Sequence, residues 1–211
     1  MTPSLQGAAT HRPTHLLYLH GFRSSPLSFK AQRLQHWLRD HQPGVQWWCP
    51  QLPPSPREAM VLVHDGICGW PAGSSAVLGS SLGGFYATAV AEATGWPAVL
   101  INPAVDPARD LTAYVGESTA FHNPQEHFYF RAEFIDELRA LRVPAITRPE
   151  RYLPIIAKGD EVLSWQEMSV RYTGTPMRLI DGSDGSDGSD HALSDFEDHL
   201  PDLLKFLRLC V

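Results

Sequence analysis

Short, wholly apolar runs set off by turn residues organise this chain. Leu16–Leu19 ends at His20-Gly21, Ala76–Gly79 (AVLG) breaks at two serines, and Ala98–Ile101 (AVLI) stops at Asn102-Pro103. Val45–Cys49 (VQWWC), Leu153–Ala157 (LPIIA) and Met177–Ile180 (MRLI) bring the number to about six. Each run is too short for a helix and is set off by Gly, Pro or other turn residues, which predicts buried strands. Helical spacing falls between them. Ser28–Asp40 places Phe29, Leu34, Trp37 and Leu38 at helical intervals, with Ser28 as N-cap. Ser55 caps the next helix, with Pro56 as its first residue and Glu58 three places on, a capping box running to about Gly66. Further helices are expected over 85–93, 131–141, 164–171 and 196–209. The last carries Leu200, Leu203, Leu204, Phe206 and Leu207 on a broad apolar face. Strands that are apolar along their whole length and alternate with helices predict a mostly parallel sheet with helices on both faces, an α/β architecture.

Two stretches lie outside this rhythm. Residues 1–14 are polar and proline-bearing and read as a flexible tail. Residues 104–150 show no strand-like run and read as a small insertion. The remainder, 15–211, is expected to be a single domain, since 211 residues exceed the usual ~150 per domain only modestly. A chain this long buries roughly 70% of its unfolded surface and needs no metal or disulfide to hold its core.

Charge narrows the partners. Seventeen basic and 23 acidic residues give 17 − 23 = −6, which argues against nucleic acid or an anionic membrane surface. No run approaches the ~18 apolar residues of a membrane span. Cys49, Cys68 and Cys210 form no CxxC, so a zinc site has no support and no metal is expected. The N-terminus lacks a cationic start followed by an apolar run, so a cytoplasmic setting is the expectation.

Chemistry enters at Gly79-Ser80-Ser81-Leu82-Gly83, a G-x-S-x-G match centred on Ser81. Composition alone yields such a match in roughly one chain of this length in ten to twenty. The flanking strand and helix patterns make it far more specific, because they reproduce the strand–turn–helix nucleophile elbow of α/β-hydrolases. A serine on so tight a turn requires glycine two residues before and two after. Ser80 fails this test, since Leu78 and Leu82 would take those places. The competing reading is a Gly-rich turn whose serines merely cap a helix.

In a parallel sheet, the turn after the first strand, His20-Gly21-Phe22, opens on the same edge as the elbow. The backbone N–H groups of Phe22 and Leu82 are therefore candidates for an oxyanion hole. His20 reads as a structural histidine bracing that turn. The acid and base should follow later strands in the order Ser, Asp, His. Asp160, in Lys158-Gly159-Asp160-Glu161, fits the acid, with Glu161 as the neighbouring alternative. His191 lies between the final strand and the final helix, which selects it from ten histidines. His199, inside that helix, reads as a solvated surface residue.

Several longer stretches carry a resemblance. YLHGFRSSPLSFKA (Tyr18–Ala31), GSSLGGFYAT (Gly79–Thr88), INPAV (Ile101–Val105), KGDEVL (Lys158–Leu163) and DHALSDFE (Asp190–Glu197) resemble the YqiA-type esterases, small bacterial serine hydrolases. LTAYVGESTAFHNPQEHF resembles the region that follows INPAV in that family. The resemblance spans about residues 15–210 and implies the α/β-hydrolase fold. It also implies action on short-chain esters or acyl-CoA thioesters, no cofactor, and a triad of Ser81, Asp160 and His191.

One segment departs from the family pattern. Asp181–Asp190 reads DGSDGSDGSD, where a shorter turn is expected before the histidine. Repeat expansion is the simpler reading. A cation site on Asp184, Asp187 and Asp190 is the sharper one, although the triplet spacing does not match an EF-hand loop. Loop closure tolerates the added length at ~0.6 kcal/mol per doubling. A ~1 Å displacement of His191 would nevertheless lower the rate ~10²-fold. Four of the acids lie here, so without them the net charge would be −6 + 4 = −2.

The substrate is less legible. Tyr114, Phe121, His122, Phe128, Tyr129 and Phe130 either wall an acyl pocket or pin the insertion to the body. Arg23 is the nearest candidate for a phosphate or CoA contact, or else a solvated loop charge. The leading expectation is a serine hydrolase of a small-molecule ester or thioester. The alternatives are a catalytically idle hydrolase fold used for binding, and the same triad acting as a peptidase or C–C hydrolase.

Overall fold

A computed structural model describes residues 11–121, 123, 125, 127–181 and 188–210. Six parallel strands form one sheet: β1 (His15–Leu19), β2 (Gln46–Trp48), β3 (Ser75–Ser80), β4 (Ala98–Ile101), β7 (Tyr152–Ala157) and β8 (Arg178–Ile180), in the order β2-β1-β3-β4-β7-β8. Leu17 lies opposite Trp48 on one side and Val77 on the other, and Ile101 lies opposite Ser80 and Ile155.

Why the strands are apolar throughout is clear from the two faces they serve. Leu17, Leu19, Val77 and Leu100 pack with α2 (Pro56–Ile67), α3 (Leu82–Thr94) and α5 (Glu133–Ala140). Their neighbours Leu16, Tyr18, Leu78 and Val99 pack on the opposite side with α1 (Phe29–His41) and α7 (Phe196–Phe206). Successive strand residues point to opposite faces, so burial of both leaves no polar positions. A short α4 (Pro107–Asp110) and α6 (Trp165–Arg171) complete the helices.

The insertion corrects the sequence reading. It contains an antiparallel hairpin, β5 (Gly116–Thr119) paired with β6 (His127–Phe130), where no strand was expected. β5 is mostly polar (GEST), and in β6 only Phe130 is fully buried, so neither gives the continuous apolar run that marks the main sheet. α3 also starts three residues before the expected Phe85. Gly83 and Gly84 weaken the helical pattern, yet close approach of neighbouring backbone requires them there. Ser28 precedes α1 in extended conformation without a side-chain cap bond. Ser55 does cap α2, accepting Glu58 N–H at 3.2 Å, and its hydroxyl donates to Glu137 at 2.7 Å. Near the start, Thr14 N–H donates to Ser74 O at 2.7 Å. Among the described residues no helix is long and apolar enough to cross a membrane.

Candidate active site

Parallel strands deliver their carboxyl ends to one edge, and the sequence-predicted residues gather there. Ser81 follows β3 with φ 56° and ψ −122°. A left-handed φ at a residue other than glycine costs about 1–3 kcal/mol and persists only where its surroundings enforce it. Here they do. A Cβ on Gly79 would lie 2.1 Å from Gly83 O, and one on Gly83 would lie 1.9 Å from Leu19 O. The glycines that flank the serine therefore let strand, turn and helix interpenetrate. Ser81 Oγ makes no capping bond to α3, which removes the cap explanation for this residue.

The hydroxyl faces His191 instead, with Oγ and Nε2 3.0 Å apart. His191 Nδ1 lies 2.8 Å from Asp160 Oδ2. The Asp160 side chain is fully buried, and its other oxygen, Oδ1, accepts the N–H groups of Val162 at 2.9 Å and Leu163 at 2.7 Å. A carboxylate only accepts, so the imidazole proton belongs on Nδ1, and Nε2 is left to accept from Ser81. Glu161, the alternative acid, takes the His191 backbone N–H at 3.0 Å, not the ring.

His191, the expected base, sits on a well-anchored segment. Asp190 accepts Ser194 N–H at 2.8 Å and the Ser194 hydroxyl at 2.7 Å, and the hydroxyl bond leads in holding its carboxyl below the usual range. The Lys30 ammonium donates to Ala192 O, and burial pushes that amine down to about 8. Asp184 and Asp187 of the triplet repeat lie outside the described residues. Among the described residues no cluster of three His, Cys, Asp or Glu side chains has the arrangement of a metal site.

Phe22 and Leu82 flank the serine. Both line a cleft of about 220 Å³ together with Ser81, His191, Tyr114 and Phe121. Leu82 opens α3, where first-turn N–H groups have no intrahelical acceptor. A Cβ on Gly21 would stand 3.2 Å from Ser81 Cβ, so the turn after β1 reaches Ser81. His20 braces that turn: its Nδ1 lies 3.0 Å from Gly21 O, and its Nε2 accepts Leu52 N–H at 3.0 Å. A second cleft, of about 360 Å³, opens across Phe22 and Leu82, between Leu52, Tyr86 and Phe128.

Aromatic residues of the insertion divide their roles. Tyr114 and Phe121 wall the first cleft and Phe128 the second. Phe130 is buried and packs edge-on to Phe22 and Phe134, whereas Tyr129 is exposed. His122 lies outside the described residues. Arg23 is no free loop charge. Its guanidinium donates to Thr119 O at 2.6 Å and Thr119 Oγ1 at 3.0 Å and lies 4.3 Å over the Phe121 ring. His199 is half-buried and bonded to Asp195 at 3.0 Å, not simply solvated.

One residue escaped the sequence reading, in which Asn102 only stops a strand. It is fully buried with φ 41°, and its side chain reaches both the segment that carries Asp160 and the one that carries His191. A buried asparagine after a strand carries no period or motif that would reveal such a role.

The sheet order, the elbow and the ordered Ser, Asp and His positions define the α/β-hydrolase fold, and similar solved structures share it. Alpha/beta hydrolase domain-containing protein 10 from mouse is 17% identical, with a TM-score of 0.64 over 92% of this chain and 90% of that one. Est1E from Butyrivibrio proteoclasticus is 14% identical, with a TM-score of 0.65 over 96% and 90%. The esterase domain of a Rhodothermus marinus protein is 18% identical, with a TM-score of 0.61 over 96% and 87%. Residues 15–208 match the model of the uncharacterised protein family UPF0227. The chain belongs to this family, the one to which the YqiA-type resemblance points.

Proposed function

We propose that the protein is a serine hydrolase that cleaves carboxylic esters or acyl thioesters through an acyl-Ser81 intermediate. The observation that carries this reading is the continuous line from Asp160 through His191 to Ser81, at 2.8 and 3.0 Å. As Ser81 Oγ bonds to the substrate carbonyl carbon, its proton passes to His191 Nε2, and Asp160 stabilises the resulting imidazolium. The tetrahedral oxyanion is received by the N–H groups of Phe22 and Leu82, each such donor being worth ~10²–10³ in rate. Collapse expels the alcohol or thiol with the proton from His191. Water then attacks the acyl-enzyme by the reverse proton path and releases the acid and free Ser81.

Two clefts that share Phe22 and Leu82 in their lining suit a substrate with an acyl part and a leaving group. Residues 104–150 act as a small cap over a single catalytic domain, and the acidic balance disfavours nucleic acid as partner. Covalent labelling by a fluorophosphonate tests the reading: wild type is labelled and Ser81→Ala is not. Equal labelling of both would contradict it.

A further inference from the structure

From the bonding of Asn102 we infer that it is a positioning residue, clamping the base-bearing loop to the acid-bearing strand and thereby setting the His191 ring between Asp160 and Ser81. This inference rests on the reading of Ser81, His191 and Asp160 as the reacting set.

The bonding is divided among all three parts of the site. Asn102 Nδ2 donates to Asp190 O at 3.0 Å and to His191 O at 3.1 Å, so both amide hydrogens hold the peptide units around the base. Its Oδ1 accepts Ala157 N–H at 2.8 Å, at the end of β7 and three residues before Asp160. Its own N–H donates to Ile155 O at 3.0 Å, continuing the ladder between β4 and β7. The neighbouring backbone grips the nucleophile: Ser81 N–H donates to Ile101 O at 2.9 Å, and Ala104 N–H donates to Ser81 O at 3.0 Å. Four consecutive residues, Ile101–Ala104, thus bracket Ser81 with main chain and His191 with one side chain.

Two further features point to positioning in preference to plain packing. Asn102 adopts a left-handed φ of 41°, a conformation that short polar side chains and glycine tolerate best. Full burial would leave each of its side-chain polar atoms costly if unpaired, and both are paired. An apolar residue of similar size would fill the space but could not hold carbonyls 88 and 89 positions away in sequence.

The test compares Asn102→Gly, which keeps the backbone conformation and deletes the amide, with Asn102→Asp, which keeps the shape and replaces the donor by an acceptor facing two carbonyls. Active sites are counted by fluorophosphonate titration, and kcat per titrated site and KM are measured on a p-nitrophenyl ester. Both variants are expected to lose about 10–10²-fold in kcat per site with KM changed less than threefold. The acid limb of the Asn102→Gly kcat/KM profile should move to lower pH, because an imidazole less well held by Asp160 loses its proton more easily. Wild-type kcat per site and an unmoved pH profile, with only the titratable fraction or Tm reduced, would overturn the inference. NMR titration of the His191 ring provides a readout that does not need turnover. If wild type neither reacts nor turns over, the hydrolase reading fails, and an unchanged ring titration in the variants would then separately refute the clamp.

Discussion

Glycine at position 83 shows most plainly how single residues set the elbow. A Cβ there would lie 1.9 Å from Leu19 O and 2.7 Å from His20 O, both backbone atoms that cannot swing aside. Gly83→Ala should therefore lower stability by about 1–3 kcal/mol or more and distort the turn after β1. Thermal melts would register this as a Tm lower by several degrees, with phosphonate labelling of the folded fraction slowed. A melt equal to wild type would show that the β1 turn can yield. Ser81 pays the complementary strain, held at φ 56° by the close approach its glycine neighbours permit. Such a demand is written in the sequence as glycine spacing, which is why the turn at Ser81 was legible as a candidate elbow. Asn102 acts through bonds to carbonyls 88 and 89 residues away, and no local pattern encodes them.

At the scale of elements, Arg23 hydrogen-bonds the insertion hairpin to the turn after β1. Arg23 O accepts Phe121 N–H at 2.8 Å, while its side chain donates to Thr119. Arg23→Met keeps the backbone bond and the apolar stem but removes the guanidinium contacts. Hydrogen exchange of the amides of β5 and β6 should accelerate about tenfold, and KM should rise, because Tyr114 and Phe121 of the cleft wall lose their anchor. Unchanged exchange would mean that the aromatic cluster around Phe22 suffices. The four inner strands, β1, β3, β4 and β7, were readable because burial on both faces leaves unbroken apolar runs. The hairpin was not: β5 is polar, and its place is fixed by pairing with β6 and by Arg23, contacts made only in three dimensions.

Across the whole molecule, α1 supplies a half-buried amine to the loop before α7. Burial pushes Lys30 down to about 8 from an ordinary value of 10.5. Between those values the unfolded chain binds more protons than the folded one, so the Lys30 contribution makes stability rise with pH over about 8 to 10.5. Below that window its cost to the fold is fully present. Denaturant melts of wild type and Lys30→Met should accordingly differ by an amount that shifts in favour of wild type as pH climbs through the window. A difference independent of pH would show the amine to be solvated. The sheet, the elbow and the anchored loop together bring Ser81, His191 and Asp160 into line, and the most direct test is where a fluorophosphonate reacts. Peptide mapping of the labelled protein should find one adduct, on Ser81, absent from Ser81→Ala and formed at least ~10³-fold more slowly in His191→Gln. An adduct on another residue, or wild-type labelling of either variant, would contradict the assignment.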